Sequence, residues 1–197
     1  MSLASPPESP ESTRSHFGLH ELLCEQTRDL YDAALRFDGE LAHLREVSVS
    51  PPLRDLVAEM SCEYREAAED LARICALLGV PADGVACEAM KGLVREAKDS
   101  SSDWEDSATR DAAIIANAQR VAHYGIAGYG TGLAYARCLK EYDVARLFKN
   151  LLRRSVTLDS RLSKLAVGGW FSHGINDEAA SLSHSHPDIE VAAGVRV

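Results

Sequence analysis

Few side chains in this sequence are spaced for chemistry. His184 and His186 stand two apart with Asp188 beyond them, and the three could hold a metal ion. They lie in a weakly patterned, Ser- and Gly-bearing stretch, where solvent-exposed polar sequence is the expectation. Gly128, Gly130 and Gly132 alternate as in a phosphate-cradling loop, yet no strand precedes them and the surrounding pattern is helical. Tight helix packing is the expected role there. Five cysteines (Cys24, Cys62, Cys75, Cys87 and Cys138) form no C-x-x-C pair and match no zinc spacing. Four of them fall in helical patterns beside apolar neighbours, which reads as buried or half-buried thiols in a reducing cytosol. The acidic run from Asp103 to Asp106 reads as a solvated loop.

Long helices must position whatever else is functional. Residues 1–16 are rich in Ser, Pro and Glu and are expected to form a disordered tail. A first helix is predicted from about Phe17 to Val47, with Leu23, Leu30, Ala34, Phe37, Leu41 and Leu44 on its apolar stripe. Ser50 then reads as an N-cap, with Pro51 and Pro52 in the first turn of a second helix that runs to Leu78 and ends at Gly79 and Pro81. A short helix is expected over about Cys87–Lys98, and a third long one over Ala108–Leu139. Gly125, Gly128, Gly130 and Gly132 each cost about 1 kcal/mol inside that helix relative to Ala. Close approach of a neighbouring backbone would offset the cost. A fourth long helix covers Tyr142–Val167, and 168–197 reads as a C-terminal tail.

No period-two alternation supports a strand, so residues 17–167 are predicted to form an antiparallel four-helix bundle of all-α class. The short helix falls in the connection between the second and third long helices. Hydrophobic residues make up 46% of the 197, charged residues 26% and aromatics 6%, ordinary values for a globular helical chain. A formal net charge of −9 argues against nucleic-acid and anionic-membrane partners. No apolar run approaches the length of a membrane span, and the N-terminus lacks the features of a secretory signal, so a cytoplasmic protein is expected.

At the midpoints of the stripes stand Ala34, Met60, Tyr64, Ala67, Ala122, Gly125 and Ser155. None of the alanines, the glycine or the serine is a good ligand for iron or manganese. Four stretches carry a resemblance that gives this observation weight: RDLYDA (Arg28 to Ala33), CEAMKGL (Cys87 to Leu93), RDAAIIANAQRVAHYGIAGYGT (Arg110 to Thr131) and the end of the last helix from Leu158 to Ala166. Together they resemble, in collinear order over roughly residues 20–167, the YciE/YciF-type ferritin-like family, bacterial proteins associated with stress and without an assigned reaction. The resemblance implies a ferritin-like bundle, a homodimer, and carboxylates at the centre. The chain departs from it where carboxylates are expected, at Ala34, Ala122 and Gly125, and Arg154 and Ser155 stand where the last helix tends to be acidic.

Glu63, His123 and Asp159 match family positions that survive. Their number is too small for a bridged two-metal site, though they could form a weak mononuclear site or a general acid–base set. The expectation is therefore a metal-free, cofactor-free ferritin-like protein with a structural, small-molecule-binding or stress-related role. The alternative is a cofactor-independent enzyme whose vacated centre takes a small apolar substrate. Its pocket would be drawn from Tyr31, Ala34, Glu63, Tyr64, Ala122, His123, Tyr124, Gly125, Ser155 and Asp159.

Overall fold

The structure, a computed structural model, describes residues 18–169 and 172–183. The expected disordered tail over 1–16 and the His184, His186 and Asp188 trio lie outside the described residues. Four long helices, α1 (Leu19–Val47), α2 (Pro51–Leu77), α4 (Ser107–Cys138) and α5 (Tyr142–Val167), build the body, and α3 (Glu88–Ser102) lies in the middle connection. Paired residues Gly168–Gly169 (β1) and Ser172–His173 (β2) make a small antiparallel ladder before α6 (Ile175–Ser183). The architecture is an all-α, ferritin-like four-helix bundle.

The predicted stripes are the buried faces. Leu23, Leu30, Ala34, Phe37, Leu41 and Leu44 of α1 meet Leu53, Val57, Met60, Tyr64, Leu71 and Ile74 of α2 in one core. Phe37 and Tyr64 touch edge to face, with ring centroids 4.8 Å apart. The end of α2 is set by Gly79 at φ 72°, which lets the Val80 N–H reach the Cys75 carbonyl and its own N–H reach Ala76. Lys140 adopts the same left-handed conformation, φ 64°, after α4.

Three local readings differ from the sequence expectation. Helix α3 continues through the Ser-rich stretch to Ser102, because the Ser100, Ser101 and Ser102 hydroxyls bond back to the Ala97 and Lys98 carbonyls. The Ser50 side chain makes no capping bond. The backbone N–H groups of Val49 and Ser50 instead donate to the buried Asp111 carboxylate of α4, at 2.9 and 2.6 Å. Past residue 167, α6 packs on α4 and α5 through the buried Ile175. Nine residues with one anchoring side chain are too few for a helical period to register.

Candidate functional site

The bundle centre is closed by side chains that fold over small residues. Ala34, Met60, Tyr64, Ala67, Ala122 and Gly125 are buried there, and Ser155 is half-buried. A Cβ on Gly125 would lie 3.1 Å from Tyr129 Cε2 and 3.4 Å from Ser155 Oγ, so the Tyr129 phenol fills the space beside both residues. This follows from helical geometry, since a side chain at i+4 leans back over residue i. Leu30 covers Gly128 and Phe148 covers Gly132, at 2.5 and 2.6 Å from the positions their Cβ atoms would take. At Gly125, Gly128 and Gly132 neighbouring side chains, not a neighbouring backbone, fill the space the glycines leave.

Those contacts order a set of alanine substitutions. Gly130 has nothing within 4 Å of its would-be Cβ, and Gly130→Ala should stabilise by about 1 kcal/mol through helix propensity alone. Gly125→Ala should come out near neutral, its methyl gaining propensity but pressing on Tyr129. Gly132→Ala should destabilise by about 1–3 kcal/mol, because the Phe148 ring must move. Thermal unfolding of the three variants checks the order, and a Gly125→Ala midpoint as high as that of Gly130→Ala would mean the centre is hollow.

What remains open is a cavity of about 20 Å³ between α2 and α5, lined among others by Glu63, Tyr64, Tyr129, Arg154 and Ser155. That is room for about one water molecule. Both tyrosines line this space. Burial pushes both phenols up, Tyr129 to about 12. Glu63 is also raised, chiefly by burial, against the opposing pull of Arg161 and Arg154.

Two arginines of α5 close this seam against the acidic row of α2. Arg154 donates to Glu66 Oε2 at 3.0 Å and to Asp70 Oδ2 at 2.9 Å. Arg161 pairs with Glu59 and, at 3.6 Å, with Glu63. His123 is exposed and places its ring Nε2 3.3 Å from Asp159 Oδ1, which also accepts from Gln119. Glu63, His123 and Asp159 therefore do not converge: the last two pair on the outer α4–α5 surface while Glu63 faces Arg161. Among the described residues no group of three or more His, Cys, Asp or Glu side chains could hold a metal ion. The two-metal centre that the ferritin-like resemblance implies does not fit this donor set.

Tyr31 packs at the core's margin, and Tyr124 points away from the centre. The Tyr124 hydroxyl donates to Asp29 and meets Cys87 Sγ at 3.0 Å, and burial followed by Asp29 holds the phenol well above its ordinary range. The Cys87 N–H donates to Asp32 at 2.7 Å. Burial pushes Asp32 up, but its Arg36 partner and that N–H outweigh it and hold the carboxyl low. Residues from three of the four resemblance-bearing stretches thus meet at one junction, where they pin the start of α3 to α1 and α4. Tyr129 was missed as a centre residue, and Arg154, noted only as a departure from acidic residues, was left out of the expected pocket. Their signals were the i, i+4 spacing from Gly125 and the heptad spacing of Arg154 and Arg161 opposite four acids.

A family model described as a domain of unknown function (DUF892) matches residues 18–180. The protein YciF of Escherichia coli (strain K12) is 42% identical over 81 residues, 41% of this chain and 49% of that protein, so the match spans about half the relative's length. Among solved structures, YcfI of Rhodopseudomonas palustris, described provisionally as a structural protein, aligns with a TM-score of 0.75 at 31% identity. That alignment covers 78% of this chain and 98% of the other. The E. coli stress protein YciF aligns with a TM-score of 0.73 at 28% identity, covering 76% and 95%.

Proposed function

The chain belongs to the DUF892 family, a domain of unknown function, and from that premise we propose that it is a metal-independent ferritin-like protein with a structural, stress-related role. The observation that carries this reading is the filled centre: Tyr129 lies over Gly125 beside Ser155, and about 20 Å³ is left. Substrate pockets are commonly several hundred Å³, so the volume speaks for a packed core over a catalytic chamber. The names of two relatives, a stress protein and a structural protein, support the role, and a homodimer in the cytoplasm is part of the same proposal. No helix among the described residues is long and apolar enough to cross a membrane.

Protein purified from iron- and manganese-supplemented medium should carry less than about one tenth of either metal per chain by elemental analysis, since hard metals need a carboxylate set the centre does not offer. A content approaching the two metals of a di-iron bundle would overturn the proposal.

A further inference from the structure

We propose that the cleft between the first turns of α1 and the chain leaving α2 binds a short aliphatic monocarboxylate, with the Arg28 guanidinium as its counter-ion. This goes beyond the structural role proposed above, since the cleft shares no lining residue with the small space beside Tyr129.

The cleft holds about 660 Å³, the size of a small-molecule site. His20, Cys24 and Arg28 line it at four-residue spacing along one face of α1, and Leu78, Val80 and Val85 supply its apolar wall. The half-buried Arg28 lacks a counter-ion. Among the described residues its guanidinium pairs with no carboxylate: Nη2 donates to the Asp83 carbonyl, and Nε is buried without an acceptor. Glu21 accepts the Gly18 N–H, and the exposed Glu25 stands at the rim without an ion-pair partner among the described residues. Burial pushes the neighbouring Cys24 and Cys75 thiols up, Cys75 to about 11, so neither supplies a negative charge at neutral pH. A cation taken partly out of water is costly until an anion meets it. The guanidinium is also held in place. Gly84, at φ 86°, lets the loop backbone come so near that a Cβ there would lie 3.0 Å from Arg28 Nη2. A preset guanidinium beside an apolar wall suits one carboxylate on an aliphatic body. Glutamates at the rim disfavour a second negative charge on the ligand.

The test follows backbone amide chemical shifts of the full chain titrated with sodium isovalerate to about 50 mM, against matched sodium chloride. Saturable shifts should appear within residues 20–28 and 78–85, with a dissociation constant of about 1 mM. Arg28→Gln should weaken binding at least about tenfold, because the charge-assisted bonds to the carboxylate are lost. If Arg28→Gln does not fold, Val85→Trp, which fills the cleft and leaves the guanidinium in place, should abolish the shifts instead. The absence of saturable shifts, or shifts confined to other parts of the chain, overturns the proposal. So does undiminished affinity in Arg28→Gln or, where that variant does not fold, in Val85→Trp. An equal response of the same amides to isoamylamine or to inorganic phosphate overturns the ligand class and the proposal with it.

Discussion

Glutamates introduced together at Ala34, Ala122, Gly125 and Ser155 should leave the protein unfolded at neutral pH. Ala34 and Ala122 are 2% and 0% exposed, and the space beside Gly125 and Ser155 is held by Tyr129. Carboxylates at 34, 122 and 125 would enter desolvated sites and that at 155 a half-buried one, at about 2–4 kcal/mol or more each. Four such terms, about 8–16 kcal/mol together, are as large as the roughly 5–15 kcal/mol by which a domain of this size is stable. Desolvation would raise the folded-state pKa of each new carboxyl above its unfolded value near 4.3. The penalty is therefore absent below that unfolded value and grows as pH rises through the folded one. Helical circular dichroism and a cooperative melt should return on acidification toward about pH 4. Added Mn²⁺ should restore little, because Tyr129 and the Arg154 guanidinium still occupy the seam. A variant with wild-type stability at pH 7 would show that the four positions do not share one dry centre.

The bundle itself was legible because burial leaves a period. The stripe from Leu23 to Leu44 and its partner from Leu53 to Ile74 are spaced by threes and fours, and the structure buries both. The expectation of carboxylates at Ala34, Ala122 and Gly125 came only from the family resemblance, since those residues alone read as an ordinary small-residue core. What filled the centre was hidden. Tyr129 enters it by leaning back one turn over Gly125, and the i, i+4 spacing shows that only once Gly125 is known to face the core. His123 and Asp159 were legible as polar residues near mid-helix. Their outward pairing depends on the rotation of α4 against α5, which a difference of one residue in register changes by about 100°. The α3 extension failed for a different reason, because Ser, Asp and Ser favour turns until their hydroxyls find helix carbonyls to bond.

Asp111 shows the same limit at a single residue, and it carries the second-largest expected effect. It lies in the longest resemblance-bearing stretch, yet its role is set by backbone groups more than sixty residues away, which no side-chain pattern can announce. Its carboxylate is 2% exposed and accepts the N–H groups of Val49 and Ser50, orphan donors at the start of α2. Negative charge there also faces the positive end of the α2 dipole. Two charge-assisted bonds at about 1.5–3 kcal/mol each, less the water that a loosened turn admits, place Asp111→Ala at about 3–4 kcal/mol of lost stability. Asp111→Asn should fall between, since one amide oxygen can still accept while the new NH₂ confronts a donor. Ser50→Ala, at the residue whose type and position suggest the cap, should stay within about 0.5 kcal/mol, because the Ser50 hydroxyl makes no capping bond. Urea unfolding with an unchanged m-value separates the three. If Ser50→Ala cost as much as Asp111→Ala, the α1–α2 turn would be capped from within α2 itself, and the tie from α4 that fixes the height of Ala122 and Gly125 against α2 would be lost from the account of the centre.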